Sequence, residues 1–346
     1  MRVGISSQHI VDRILLVLGL VPVPLVDVFP TIILARSVML ATQSELFEAL
    51  AYESHTCEEL AVTCRLNARG LATLLPVLLA SGYLHRQGEQ YSLTTQTRKW
   101  LLRDSPHSIR EYVLFNFTQW QWIERFDDFV QNGLPINFHR EMDNEQWRHY
   151  QHGMQQIARI SAREVARNIP VSNHATTMLD IGGAHGYYSV ALCRRHPNLH
   201  ATVLDLQEAV RQSAPLLAAS GMGDRVQHRC GDALTTDLGE QQYDVIFMAN
   251  LAHHFSSDTN QQLIYRIARA LKPGGAFVIM DAFRPKAQHR RQQFAAIADL
   301  YFALTSESGV WSLAEMAHWQ SQAGLRPLKA KHLLTGPGLG LQIAVK

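Results

Sequence analysis

The 346-residue chain, with 47% hydrophobic and 18% charged residues, has a globular balance and enough apolar material for a sizeable core, and its length favours two domains because single cores stop growing near ~250–300 residues. Its 32 basic and 30 acidic side chains leave a formal charge of +2, which excludes a global pull toward nucleic acid or an anionic membrane and suits a small-molecule partner. Four scattered cysteines (Cys57, Cys64, Cys193, Cys230) without CxxC spacing, and 17 histidines without an HExxH, mark no metal site and read as packing thiols and ordinary histidines of a cytoplasmic protein.

In chain order, the first apolar run is ILLVLGLVPVPLV (14–26). Broken by Pro22 and Pro24, it is short of the ~20 residues that span a bilayer and lacks a signal peptide's basic start and cleavage site. It reads as a buried or dimer-packing segment, with no membrane association expected. Residues 28–82 carry apolar positions at helical spacing, with Thr56 and Glu59 forming a capping box and Gly82 ending the third helix. YLHRQGEQYSLT (83–94) alternates around Gly88 as a small hairpin. Three helices and a hairpin predict a winged helix. Its would-be recognition helix (67–80) offers Arg69 and then LATLLPVLLA, leucines rather than base-reading side chains, so a scaffold role is favoured over DNA binding. Long helices are expected over 109–170, with aromatics Phe115, Phe117, Trp120 and Trp122; they suit a core, and Trp120 is a candidate for the substrate pocket.

From residue 177 apolar strands alternate with helices: TMLDIGG, HATVLDL, RVQHRCGD, YDVIFMAN and GAFVIMDAF. This predicts an α/β fold, a doubly wound, Rossmann-like parallel sheet. LKAKHLL and LGLQIAVK flank GPG (336–338) and are expected to pair as an antiparallel hairpin at the sheet edge. The expected division is a helical winged-helix dimerisation domain over 1–145 and a cofactor-binding domain over 146–346.

The glycines of LDIGGAHG fit the dinucleotide pattern poorly, with Ala184 and Tyr187 at two of its three glycine positions. What remains is Asp180 at a strand end beside Gly182 and Gly183, a carboxylate suited to a cationic amino group. Asp205, 25 residues later, closes the second strand, where an acid accepts from both ribose hydroxyls. Asp232, flanked by Gly231 and Ala233, closes the third, where an acceptor reaches the amine of adenine. Amino group, ribose and adenine together describe S-adenosyl-L-methionine. Asn250 is expected at the mouth of the fourth strand, near that cofactor.

Through LDIGGAHG, VLDL, GDA and the LKPGG turn (271–275), the chain resembles the class I methyltransferases. With a winged-helix N-terminal half, it is most similar to the small-molecule O-methyltransferases of the caffeate and acetylserotonin type, with bacterial natural-product relatives. The resemblance implies a homodimer formed through the N-terminal domain and methylation of a hydroxyl on a small aromatic or polyketide-like metabolite. It aligns the family's catalytic histidine, usually followed by Asp-Trp, with His253, leaving His254 and Phe255 at the next two positions, and places an orienting carboxylate at Asp281. A neutral imidazole, pKa near ~6.5, can take a phenol's proton as methyl transfer develops. It matches Met154 to a methionine beside the acceptor. Ala184 stands for a commoner glycine, and the place of a second acid flanking the base is taken by Gly309, Val310 and Trp311; Trp311 is expected to line the pocket instead. The missing acid and the doubled histidine keep open a family member that binds the cofactor without methylating; a C-methyltransferase, which would use the same cofactor site, also stays open, and a winged-helix DNA-binding regulator is third.

Overall fold

The structure, a computed structural model, describes residues 9–284 and 293–346, the side chain of Arg140 excepted. The chain forms two compact units that meet between Gln119 and Trp120.

The first unit begins with α1 (Ile10–Val17) and α2 (Val23–Gln43). Pro22 caps α2 and Pro24 lies in its first turn, where a missing N–H costs nothing, so the prolines that break up the 14–26 run in the sequence start a helix. The apolar stretch is therefore longer than 14–26 suggests: α2 spans 21 residues and, by length and composition alone, is long and apolar enough to cross a membrane. Its C-terminal half buries Met39 and Ala41, whereas Leu25, Val28, Phe29, Ile32 and Ile33 are exposed. After α3 (Leu46–Ala49), the expected capping box opens α4 (Cys57–Thr63): Thr56 Oγ1 accepts from the Glu59 N–H and Glu59 accepts from the Thr56 N–H. In α5 (Ala68–Ala80), Leu71, Leu75 and Leu78 recur at helical spacing and point into the core. Gly82, at φ +79°, turns the chain into the hairpin β1 (Leu84–Gln87) and β2 (Gln90–Leu93). Then come α6 (Thr95–Leu101) and α7 (Arg110–Ile123), where the buried Arg110 pairs with Glu45, Glu48 and Glu111.

The second unit takes in the end of α7 from Trp120 and continues with α8 (Phe126–Asn132), α9 (Phe138–Glu141) and the 25-residue α10 (Asn144–Asn168), a more broken path than the long helices expected. Strands and helices then alternate as β3 (Thr177–Ile181), α11 (Tyr187–Arg195), β4 (His200–Asp205), α12 (Gln207–Ala218), β5 (Val226–Cys230), β6 (Tyr243–Ala249), α13 (Ser257–Ala270) and β7 (Leu271–Ala282). α14 (Gln293–Thr305), α15 (Leu313–Gln322), β8 (Arg326–Pro327), β9 (Lys331–His332) and β10 (Leu339–Val345) complete it. The sheet order is β5-β4-β3-β6-β7-β10-β8, with the first five parallel. The doubly wound expectation holds, with two corrections. β10 is an interior strand between β7 and β8, and only the two-residue β9 pairs with it across the GPG turn, so the hairpin is not an edge by itself. The LKPGG segment is not a separate turn before the fifth strand; β7 starts at Leu271, with a register irregularity opposite Tyr243 and Val245.

Strand residues alternate between two cores. Met178, Val245, Phe247, Val278 and Met280 pack toward α10 and α11, while Leu179, Ile246, Met248, Phe277 and Ile279 pack toward α13 and α15. Each fully buried side chain of this size contributes roughly 1.5–3 kcal/mol. The winding changes direction between β3 and β6, which opens a crevice at the carboxyl ends of the parallel strands.

Candidate active site

Every parallel strand carries a predicted site residue at that edge. Asp180, second to last in β3, is 1% exposed; its Oδ2 accepts from the Ser189 hydroxyl at 2.6 Å, while Oδ1 is buried with no partner among the described residues. Burial raises its carboxyl to about 7, the Ser189 bond opposing and the Asp205 charge adding to the shift. Gly182 follows at φ +67°, and a Cβ on Gly183 would lie 2.5 Å from the Asp180 Cγ, so no side chain fits between the turn and the acid. Ala184 also takes a left-handed backbone, φ +41°. Its N–H donates to Asp205 Oδ2 and its carbonyl accepts from His228 Nε2, contacts that hold an alanine where glycine is more at ease. Asp205 ends β4 and is half-buried; its other oxygen accepts from the Leu206 N–H, and burial raises its pKa against those bonds. Gly231 and Asp232 follow β5; Asp232 is exposed and accepts from the Leu234 N–H, with Ala233 between them. Asn250, at φ +50°, directly follows β6.

At the end of β7, Asp281 (1% exposed) meets His253 (3% exposed), which a short 3-10 turn presents after β6. The Asp281 carboxylate accepts from Nδ1 at 2.8 and 3.1 Å and from the Ala282 N–H at 2.8 Å. With Nδ1 as donor, Nε2 carries the lone pair, and it has no partner among the described residues. Phe302 of α14 lies against the imidazole, ring centroids 4.1 Å apart. Thus a phenyl ring, and no second acid from Gly309, Val310 or Trp311, covers the ring of His253.

Around this dyad the second unit assembles an aromatic wall in which the sequence singled out Trp122 and His254 but not Phe138, His139, Trp147 or Tyr150. Phe138 packs 4.7 Å from Trp122 and 5.8 Å from Tyr150; His139 stacks on Trp147; His254 lies 6.1 Å from Phe138. Trp147, Tyr150 and Met154 share one face of α10 at i, i+3 and i+7, a spacing that could have revealed the first two. Met154 is half-buried on that helix and Trp120 half-buried on α7. The expected aromatic group divides at the unit boundary, Phe115 and Phe117 lying before it and Trp120 and Trp122 after it. Trp311 donates its indole N–H to the Ala252 carbonyl at 3.0 Å and packs on Trp319, contacts that fix the loop presenting His253.

Residues 125–326 match the profile of the O-methyltransferase domain. The chain belongs to this family. The methyltransferase is 26% identical over 312 residues to the tetracenomycin polyketide synthesis 8-O-methyl transferase of Streptomyces glaucescens, covering 88% of this chain and 91% of that one. It is 22% identical to the 3-hydroxy-5-methyl-1-naphthoate 3-O-methyltransferase of Streptomyces sahachiroi, covering 94% and 95% of the two chains. Its fold is that of human N-acetylserotonin methyltransferase, solved in complex with S-adenosylmethionine, at a TM-score of 0.82 with 18% identity and 99% of each chain covered. The protein is an S-adenosylmethionine-dependent O-methyltransferase. The residues present fit that cofactor: Asp180 Oδ1 is a buried carboxyl oxygen with no partner among the described residues, an acceptor that a cationic amino group would satisfy.

Proposed function

We propose that this methyltransferase methylates a hydroxyl of a small aromatic, polyketide-like secondary metabolite, with His253 as general base. The observation that carries it is the buried His253–Asp281 pair beside an aromatic wall. Asp180 would receive the cofactor's amino group, Asp205 its ribose hydroxyls and the Gly231–Ala233 segment with Asp232 its adenine, with Asn250 at the crevice mouth. When bound, S-adenosylmethionine supplies an electrophilic methyl on a sulfonium. The chain's own part is to align the acceptor and take its proton at Nε2, while Asp281 holds the tautomer and balances the imidazolium that forms. Planar side chains of Trp122, Phe138 and Trp147 suit a flat acceptor, and the names of the polyketide and naphthoate relatives support that class. The exposed apolar residues of α2 support a homodimer formed through the first unit; sedimentation as a monomer at micromolar concentration would count against it.

His253→Ala is expected to slow turnover by roughly 10²–10⁴ while calorimetry shows wild-type affinity for S-adenosylmethionine. Equal rates for variant and wild type would remove the base assignment. Mass spectrometry of the product separates methyl addition from the hydroxylation or decarboxylation of a non-methylating relative.

A further inference from the structure

The imidazole of His253 does not stand alone. The His254 ring lies 4.4 Å from it, centroid to centroid, and 5.3 Å from that of His139. His254 is held at Nδ1, 3.3 Å from the hydroxyl of Ser306, itself 5% exposed. Its Nε2 has no partner among the described residues. His139 is fixed from behind by stacking on Trp147, 5.6 Å away at 25°, and by Phe138. Neither of its ring nitrogens is hydrogen-bonded among the described residues. Burial, and then the neighbouring imidazoles, hold both rings neutral at physiological pH: His139 is lowered to about 4 and His254 is lowered well below its ordinary value. A neutral imidazole offers one N–H donor and one acceptor nitrogen, so the pair can meet either a hydroxyl or a carbonyl oxygen.

We propose that His254, backed by His139, sets acceptor specificity by hydrogen-bonding a second oxygen next to the hydroxyl that is methylated. The preferred acceptor is then an arene with oxygens on adjacent or peri carbons. Two such oxygens stand about a hydrogen bond apart, ~2.7 Å. Rings 4.4 Å apart can share that pair, the reacting hydroxyl going to His253 and its neighbour to His254. An acceptor lacking the second oxygen would leave His254 unpaired once the site closes on it, and such a mismatch is discriminated more strongly than a missing methylene.

This assignment rests on the proposed aromatic acceptor and on His253 as base, so the test reads binding as well as turnover. 1-Naphthol, 1,2-dihydroxynaphthalene and 1,8-dihydroxynaphthalene are titrated onto the protein saturated with S-adenosylhomocysteine and assayed for methylation with S-adenosylmethionine. Wild type is expected to favour a diol over the mono-ol by about tenfold or more in Kd and kcat/KM. His254→Phe, or His254→Leu if the first does not fold, brings that ratio to within about threefold of unity, and His254→Gln restores part of it. A wild type without the preference, or a His254→Phe variant that keeps it, overturns the proposal. A binding preference lost in His254→Phe, with no methylation of any naphthol, supports the His254 assignment while counting against the aromatic-hydroxyl reading.

Discussion

Gly183→Ala tests whether the glycine turn and Asp180 form one unit. The added Cβ would lie 2.5 Å from the Asp180 Cγ and 2.6 and 2.8 Å from its oxygens, nearly an ångström inside ordinary contact. The carboxyl has no room to retreat, being 1% exposed and tied to Ser189 at 2.6 Å. Accommodating the methyl therefore overpacks the strand end, at about 1–3 kcal/mol, and strains a hydrogen bond to a partly charged group, worth about 1.5–3 kcal/mol; allowing for overlap between the two, the loss is about 2–5 kcal/mol. Urea denaturation at neutral pH should show it as a lower midpoint with an unchanged slope. Calorimetric titration should show S-adenosylmethionine binding at least about tenfold weaker if, as proposed, that carboxyl receives the cofactor's amino group. Gly221→Ala is the control: it sits at φ +70° with nothing within 4 Å of its Cβ, so it costs only about 1 kcal/mol of backbone strain and leaves cofactor affinity alone. If Gly183→Ala matches wild type in both midpoint and affinity, the turn does not cradle the acid as argued.

Two further outcomes follow from buried titrating groups. Asp180 is raised to about 7, so its ionisation destabilises the fold progressively as pH rises from its unfolded value toward 7, and a cationic amino group relieves that penalty. S-adenosylmethionine affinity should therefore rise about tenfold between about pH 5.5 and 7; Asp180→Asn should flatten the dependence, and an equal slope in the variant would refute the pairing. His185 is lowered to about 3 by burial, then by Arg159 and His228, while its Nδ1 accepts from the Tyr187 N–H. The unfolded state binds a proton near ~6.5 that the fold refuses, so this group draws stability away as pH falls below that value, by up to about 1.4 kcal/mol per pH unit. His185→Asn, which can still accept from Tyr187, should show a shallower acid limb in urea midpoints measured from about pH 6.5 to 4; superimposable limbs would exclude His185 as the cause.

The sequence by itself determined the alternation of strands and helices, the capped α4, the glycine turn with Asp180, and the acids at the end of β4 and just after β5. These are local signals, set by side-chain periodicity and by residue types whose backbone demands are fixed. The pairing of His253 with Asp281, 28 residues apart, was foreseen only through a family resemblance, and it has a local logic as well: parallel strands joined by a helix bring successive strand ends to one edge. Tertiary structure alone decided the rest. Pro22 and Pro24 read as interruptions until the fold showed them starting α2, and β10 became an interior strand because β8 and β9 cover its far side. Phe302 on His253, and His139 beside His254, join α14 and α9 to the loop after β6. No periodicity links such residues; they meet because separate helices pack over the same crevice, and ring contacts between distant segments depend on packing that one-dimensional spacing does not encode.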